Sequence, residues 1–176
     1  GYNIPGKYPI KKALASLKAG ELFGIANGKA EFGPRALGNR SLLGDVRYDI
    51  RNHVNRIKQR QKFRPFAPAI LEESYDDYFV GHANEYMQFV AKAKHDYHSV
   101  THVDGSARVQ TVCKRNNPLY WKLLKRFEKI TNCSVLLNTS FNVRGEPIVC
   151  SPDDAYRCFV NTAIDYLVLG NFILKR

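Results

Sequence analysis

Acidic residues are scarce in this chain: 16 Asp and Glu stand against 27 Lys and Arg, a net charge of +11. A surplus of that size points to anionic partners, among them nucleotides, other phosphates, nucleic acid and acidic protein surfaces. Long apolar runs are missing too. The longest, such as residues 165–174, are strand-sized, far short of the roughly 20 residues a membrane-spanning helix needs. Cysteine is limited to Cys113, Cys133, Cys150 and Cys158, with no C-x-x-C pair and no secretory apolar segment before them. That usage is expected of a reducing compartment, the cytoplasm, with the thiols as small core residues. No G-x-x-x-x-G-K-[ST], G-x-G-x-x-G, G-x-S-x-G or H-E-x-x-H occurs, which excludes the P-loop, the dinucleotide fingerprint, the hydrolase nucleophile elbow and the zincin helix. Internal repeats, low-complexity tracts and linkers are also absent, so residues 1–176 are expected to form one domain. The chain opens Gly-Tyr-Asn-Ile-Pro without an initiator Met and is expected to be a piece of a longer protein.

What is present is an ordinary globular composition, 44% hydrophobic with ten Tyr and ten Phe. Ile10, Leu14 and Leu17 recur at helical spacing before Gly20, predicting a helix over 8–19. Residues 21–26 read as a short strand and 31–47 as a glycine-rich functional loop entering a short helix. Ile50, Val54 and Ile57 share a face and predict a helix over 48–58. Residues 66–71 read as a strand whose prolines place it at an edge or a bulge. Residues 72–79 read as a short helix; 87–93 and 108–112 read as strands. The clearest helix is 118–131, with Asn117 as N-cap, Pro118 at the first position, a stripe of Leu119, Leu123, Phe127 and Ile130, and Asn132 as a left-handed exit. A strand over 134–138, a capped helix from Ser151 to about 162 and closing strands over 165–170 and 172–175 complete the reading. The fold class is mixed α/β (α+β), with about seven strands and four or five helices.

Three stretches concentrate polar chemistry. An apolar strand ends in Asn138-Thr139-Ser140-Phe141-Asn142, placing short amides and hydroxyls at one edge of a sheet, where α/β proteins hold ligands. Ser140 reads there as a ligand-binding hydroxyl rather than a nucleophile, because no general base is close in sequence. Lys58, Arg60, Lys62 and Arg64 lie two apart. In extended chain they would face one way, and Pro65 keeps Arg64 out of the helical region. Arg35 and Arg40 sit among the tight-turn glycines of Gly33-Pro34-Arg35-Ala36-Leu37-Gly38. Arg108 opens a strand after the Asp104-Gly105 turn. Arginine forks and lysine point charges suit phosphate groups. His98 and His102 are four apart, but Ser99, Val100 and Thr101 disfavour a helix between them and no third ligand is evident, so no metal site is assigned.

The blocks EFGPRALGNRSLLGDVR, N-x-x-K-x-R-x-x-FRPFAPAIL, HVDGSARVQTV, LLNTSFNVRGEPIV and DYLVLG, in that order from about residue 10 to the end, resemble the C-terminal region of NodU/CmcH-type O-carbamoyltransferases. The resemblance implies a YrdC-like fold, a twisted mixed β-sheet with flanking helices around a basic cavity. It implies a domain that joins ATP and carbamoyl phosphate into carbamoyl adenylate. An N-terminal carbamoyl-transfer domain of the same polypeptide would then pass the carbamoyl group to a small-molecule hydroxyl acceptor in a bacterial cytoplasm. The family's K-x-R, basic-Pro and T-S-x-N patterns fall on Lys58-Gln59-Arg60, Arg64-Pro65 and Thr139-Ser140-Phe141-Asn142. A second K-x-R, Lys62-Phe63-Arg64, overlaps the first, and the spacing to Arg64-Pro65-Phe66 favours Lys58 and Arg60.

On this basis Lys58, Arg60 and Arg64 are the candidate catalytic cations. Arg35, Arg108, Asn138, Ser140 and Asn142 are the candidate cofactor-binding residues, with the amides fixing the triphosphate or the carbamoyl group. Mg²⁺ is expected to ride on ATP, held by phosphate oxygens and water. The chain departs from the family at Lys29, at Asn132, where a glycine is usual, and at Gln61-Lys62, where an acid and a proline are usual. Two other readings compete. One is an RNA-binding YrdC-like module, disfavoured because the arginines sit among Asn and Ser rather than in stripes with exposed aromatics. The other is a folded piece that is inert without its N-terminal partner.

Overall fold

The computed structural model describes residues 3–6 and 9–176. The chain runs through β1 (Asn3–Ile4), α1 (Ile10–Lys18), β2 (Phe23–Ala26), β3 (Gly28–Lys29), β4 (Arg40–Asp45), α2 (Arg51–Ile57) and β5 (Ala67–Leu71). A 3-10 turn over Glu72–Ser74 leads into α3 (Tyr75–Tyr78), then β6 (Phe79–Val80), β7 (Ala91–Ala93), β8 (Ser106–Ala107) and β9 (Gln110–Val112). Then come α4 (Pro118–Thr131), β10 (Val135–Ser140), α5 (Pro152–Val160), β11 (Tyr166–Leu169) and β12 (Phe172–Lys175). The expected helix start at Tyr8 lies outside the described residues.

Seven strands form a mixed sheet in the order β12-β11-β2-β4-β10-β5-β9. Two of its pairings, β11 with β2 and β5 with β9, are parallel, and the rest are antiparallel. β6, β7 and β8 form a small separate antiparallel sheet. This is the mixed α/β architecture expected. One apolar cluster runs through the main sheet and the helices packed on it.

Local chemistry explains the helix limits. The Asn117 side chain accepts from the Tyr120 N–H, Pro118 opens α4, and Asn132 leaves it at φ 55°. Asparagine therefore fills the left-handed exit expected of it from the sequence. At α5, Ser151 and Asp154 form a reciprocal capping box. The buried stripe of α4 is Tyr120, Leu123, Leu124 and Phe127; the expected members Leu119 and Ile130 lie exposed at its margins.

Four expectations need correction. Residues 40–45 are not part of a loop entering a short helix; they form β4, a central strand buried at every position. Its polar ends and internal Gly44 hide the strand pattern, yet a Cβ at Gly44 would collide with Ile50, so the glycine makes room for the core. β5 is an interior strand, not an edge, and no bulge is needed. Pairing with β9 begins only at Ala69, one residue past Pro68, so the missing proline N–H does not interrupt that ladder. The predicted strand over 87–93 shrinks to Ala91–Ala93, with Met87 in a positive-φ turn. Cys150 is exposed and so is not a core thiol, whereas Cys113, Cys133 and Cys158 are buried.

Candidate functional site

The end of β10, the loop at residues 34–36, α2 and its following turn, and the segment over 87–108 enclose a cavity of about 710 Å³. Six cations line it, Arg35, Arg51, Lys58, Arg60, Arg64 and Arg108, and its lining includes no carboxylate. None of the ion pairs among the described residues involves these six. Like charges so gathered repel. Burial, then Arg64 and Arg108, lowers Arg60 to about 10. Burial, then Arg35 and Arg64, lowers Arg108. An anion would relieve that repulsion.

The basic run is not extended as expected. Lys58 caps α2 in a helical conformation and Gln59 turns at φ 51°. Buried Asn55 organises the turns beyond. Its Nδ2 donates to the carbonyls of Lys62 and Arg64, while its Oδ1 accepts from Arg60 Nε at 2.5 Å. Arg60 also donates to the Pro65 carbonyl and lies over the Phe66 ring at 4.0 Å. The result brings Lys58, Arg60 and Arg64 to the cavity and leaves Lys62 exposed outside its lining.

Lys58 is only 7% exposed. Its Nζ donates to Ser140 O at 2.6 Å, Asn142 Oδ1 at 2.8 Å and Asn142 O at 3.0 Å, with Ser140 Oγ farther at 3.2 Å. Three close oxygens match the three protons of an ammonium, which argues against a neutral lysine acting as base on Ser140. Burial, then Arg60, pushes this group down to about 7. Ser140 Oγ donates to Asn142 Oδ1 at 2.7 Å, and Asn142 Nδ2 donates to the Glu146 carbonyl at 2.8 Å. Ser140 lines the cavity; Asn142 stands behind Lys58, outside the lining. Phe141 anchors the turn, since it is fully buried and its ring lies where a Cβ on Gly24 would come within 2.7 Å.

Arg35 projects from a loop held at both ends. Glu31 Oε1 accepts from the backbone N–H groups of Leu37, Asn39 and Arg40. Gln110 and Asn117 both donate to the Leu37 carbonyl, and Asn138 donates to the Ala36 carbonyl. Arg40, which the sequence suggested as an anion ligand alongside Arg35, points inward instead. It is fully buried and donates to the carbonyls of Asn27, Gly28, Asn39 and Cys150.

Four residues of the lining each carry a buried side-chain atom without a hydrogen-bond partner: Arg51 Nε, Thr101 Oγ1, Arg108 Nε and Asn138 Oδ1. Buried polar atoms are rarely left so, and these four belong to residues of one lining. Sequence reading missed Arg51 and Thr101. Arg51 was legible in principle, because it lies seven residues before Lys58 on the face of one helix. Without carboxylates, the lining has nothing to grip Mg²⁺ by itself; a magnesium ion fits only if phosphate oxygens bring it.

The comparisons agree with this architecture. Nodulation protein NolO of Bradyrhizobium diazoefficiens is 42% identical over 167 residues, covering 89% of this chain and 30% of that protein. The 3'-hydroxymethylcephem-O-carbamoyltransferase of Amycolatopsis lactamdurans is 36% identical, covering 92% of this chain and 32% of that enzyme. The chain thus spans under a third of the length of these relatives. Full-length HypF, solved in a phosphate- and nucleotide-bound form, superposes with a TM-score of 0.69 at 18% identity, over 92% of this chain and 25% of its own. That likeness is one of fold, and it accords with the YrdC-like sheet expected from the sequence. The model of the carbamoyltransferase C-terminus matches residues 14–176, and the chain belongs to that family.

Proposed function

We propose that this chain, acting as one domain, holds ATP and carbamoyl phosphate side by side and joins them into carbamoyl adenylate. Another part of a longer cytoplasmic polypeptide would carry the carbamoyl group on to a small-molecule hydroxyl. The observation that carries the reading is the cavity lined by six cations and no carboxylate. Carbamoyl transfer in the named relative and nucleotide binding in HypF support it. In the overall reaction, carbamoyl phosphate, ATP and water give carbamoyl adenylate, pyrophosphate and inorganic phosphate. Water releases carbamate from its phosphate. A carbamate oxygen then bonds to the α-phosphorus of ATP as the bond to the bridging oxygen of pyrophosphate breaks. Two polyanions must approach each other, and charge builds on the departing phosphates. Arg35, Arg51, Arg60, Arg64 and Arg108 are placed to neutralise it with fixed donors, and no protein nucleophile is needed. A cavity of about 710 Å³ suits small ligands better than a strand of RNA.

Calorimetric titration with ATP and Mg²⁺, with and without carbamoyl phosphate, tests the proposal. Binding altered by carbamoyl phosphate and lost in Arg64→Ala is expected. Absence of binding, or binding indifferent to Arg64, would count against it. The pH dependence is a second check. Lys58 falls to about 7 when unliganded, and a phosphate favours its charged form. Below that value affinity is complete. As pH rises through it, binding must take up a proton and affinity falls by up to about tenfold per unit. Titrations near pH 8 in buffers of different ionisation enthalpy should therefore show proton uptake, which vanishes in Lys58→Met.

A further inference from the structure

We infer that Glu31 is a positioning residue for the anion site: its carboxylate staples together the two ends of the loop over 30–38 and so holds Arg35 at the cavity. The inference rests on the proposed function and adds to it a residue that lies outside the cavity lining. The loop has few bonds of its own. Among the described residues, no backbone–backbone hydrogen bond involves residues 30–38. Gly33 and Gly38 take φ of 113° and 122°, and two glycines in one loop leave it much freedom to lose. Glu31 Oε1 supplies what is missing. It accepts from the N–H groups of Leu37 and Asn39 at 2.7 Å each and from that of Arg40 at 3.4 Å. Gln110, Asn117 and Asn138 hold only the carbonyls of Leu37 and Ala36. Among the described residues, Glu31 therefore makes all the hydrogen bonds that tie down residues 30–35.

The same carboxylate does not neutralise the arginine it serves. Glu31 lies four residues before Arg35 in the sequence, yet none of the ion pairs among the described residues involves either of them. The acid is spent on backbone N–H groups, and the guanidinium is left for an anion. An arginine on a loop braced in this way is ready for phosphate. On a slack loop it would have to be ordered at each binding event, at a cost to affinity. The sign of the effect separates this role from a purely electrostatic one. Glu31 is a negative charge on a loop of an anion site, so its removal would tighten binding if charge alone mattered. As a positioning residue, its removal weakens binding.

The test is calorimetric titration of ATP with Mg²⁺ into the wild-type chain, Glu31→Ala, Arg35→Ala and the double variant. Glu31→Ala should weaken binding by about tenfold. Glu31→Gln keeps an oxygen at the same reach without the charge and should lose only about threefold. In the Arg35→Ala background, Glu31→Ala should cost less than about twofold, because the side chain it positions is gone. An equal loss in both backgrounds would show that Glu31 merely supports the fold, and unchanged or tighter binding in Glu31→Ala would show that it acts only as a charge. Either result overturns the inference. Should Glu31→Ala not fold, Glu31→Gln carries the same comparison: no loss, or a loss that persists beside Arg35→Ala, overturns it. If Arg35→Ala weakens binding and Glu31→Ala does not, the inference fails alone. If Arg35→Ala binds as the wild type does, the assignment of Arg35 falls with it, and a wild-type chain that does not bind ATP overturns the proposed function as well.

Discussion

Lys58→Met should weaken binding of ATP and carbamoyl phosphate by about a hundredfold or more. The loss has two sources. The ammonium is a buried positive charge in the cavity wall, where the local dielectric makes it count for more than a surface lysine. It also gathers Ser140 O, Ser140 Oγ, Asn142 O and Asn142 Oδ1. With the donor gone, those oxygens would lose the charge that compensates them, the pair on Ser140 in the cavity lining itself. Stability should change less, because freeing the protein of a buried charge offsets part of the cost of stranding its acceptors. A net loss of about 1–3 kcal/mol is expected in urea titration. The pH dependence of stability has a definite sign. Lys58 is lowered from 10.5 to about 7 in the folded chain, so between those values the unfolded chain binds more protons. The wild type therefore gains stability as pH rises through that window, and Lys58→Met should not show this gain.

Arg40→Leu should be the most destabilising single change, at about 3–5 kcal/mol and roughly 10 °C or more in Tm. The guanidinium is fully buried and supplies donors to four backbone carbonyls, those of Asn27, Gly28, Asn39 and Cys150. These come from three separate segments that meet at the start of β4. The Arg40 carbonyl in turn accepts from the Phe141 N–H, at the turn that carries Ser140 and Asn142. Arg40→Lys should recover only part of the loss, because three donors on a flexible stem cannot reproduce the planar fork. Thermal unfolding of the two variants separates these outcomes; a loss below about 1 kcal/mol in Arg40→Leu would contradict the role.

Arg40 and Lys58 also illustrate what the sequence made legible. The helices were readable because their signals are local: Asn117-Pro118 and Asn132 frame α4, and Ser151 with Asp154 caps α5. β4 was not. An arginine at its start reads as a ligand, and only the tertiary fold, which brings the carbonyls of residues 27, 28 and 150 to it, makes it a core residue. The basic run predicted cations at the site, and three of its four reached the cavity, but by way of a helix end and turns ordered by Asn55 rather than an extended row. Asn142 was chosen for its motif. Its position behind Lys58 depends on hydrogen bonds between residues 84 apart in sequence, which no local pattern reveals. The unpartnered atoms of Arg51, Thr101, Arg108 and Asn138 became visible only in three dimensions.

Exchange of labelled pyrophosphate into ATP tests the central claim most directly, because it reads formation and reversal of an adenylate. The account predicts exchange by this chain that requires carbamoyl phosphate, is absent with acetyl phosphate and is abolished by Lys58→Met. A chain that binds ATP and carbamoyl phosphate yet supports no exchange, or exchange that does not depend on carbamoyl phosphate, would contradict it.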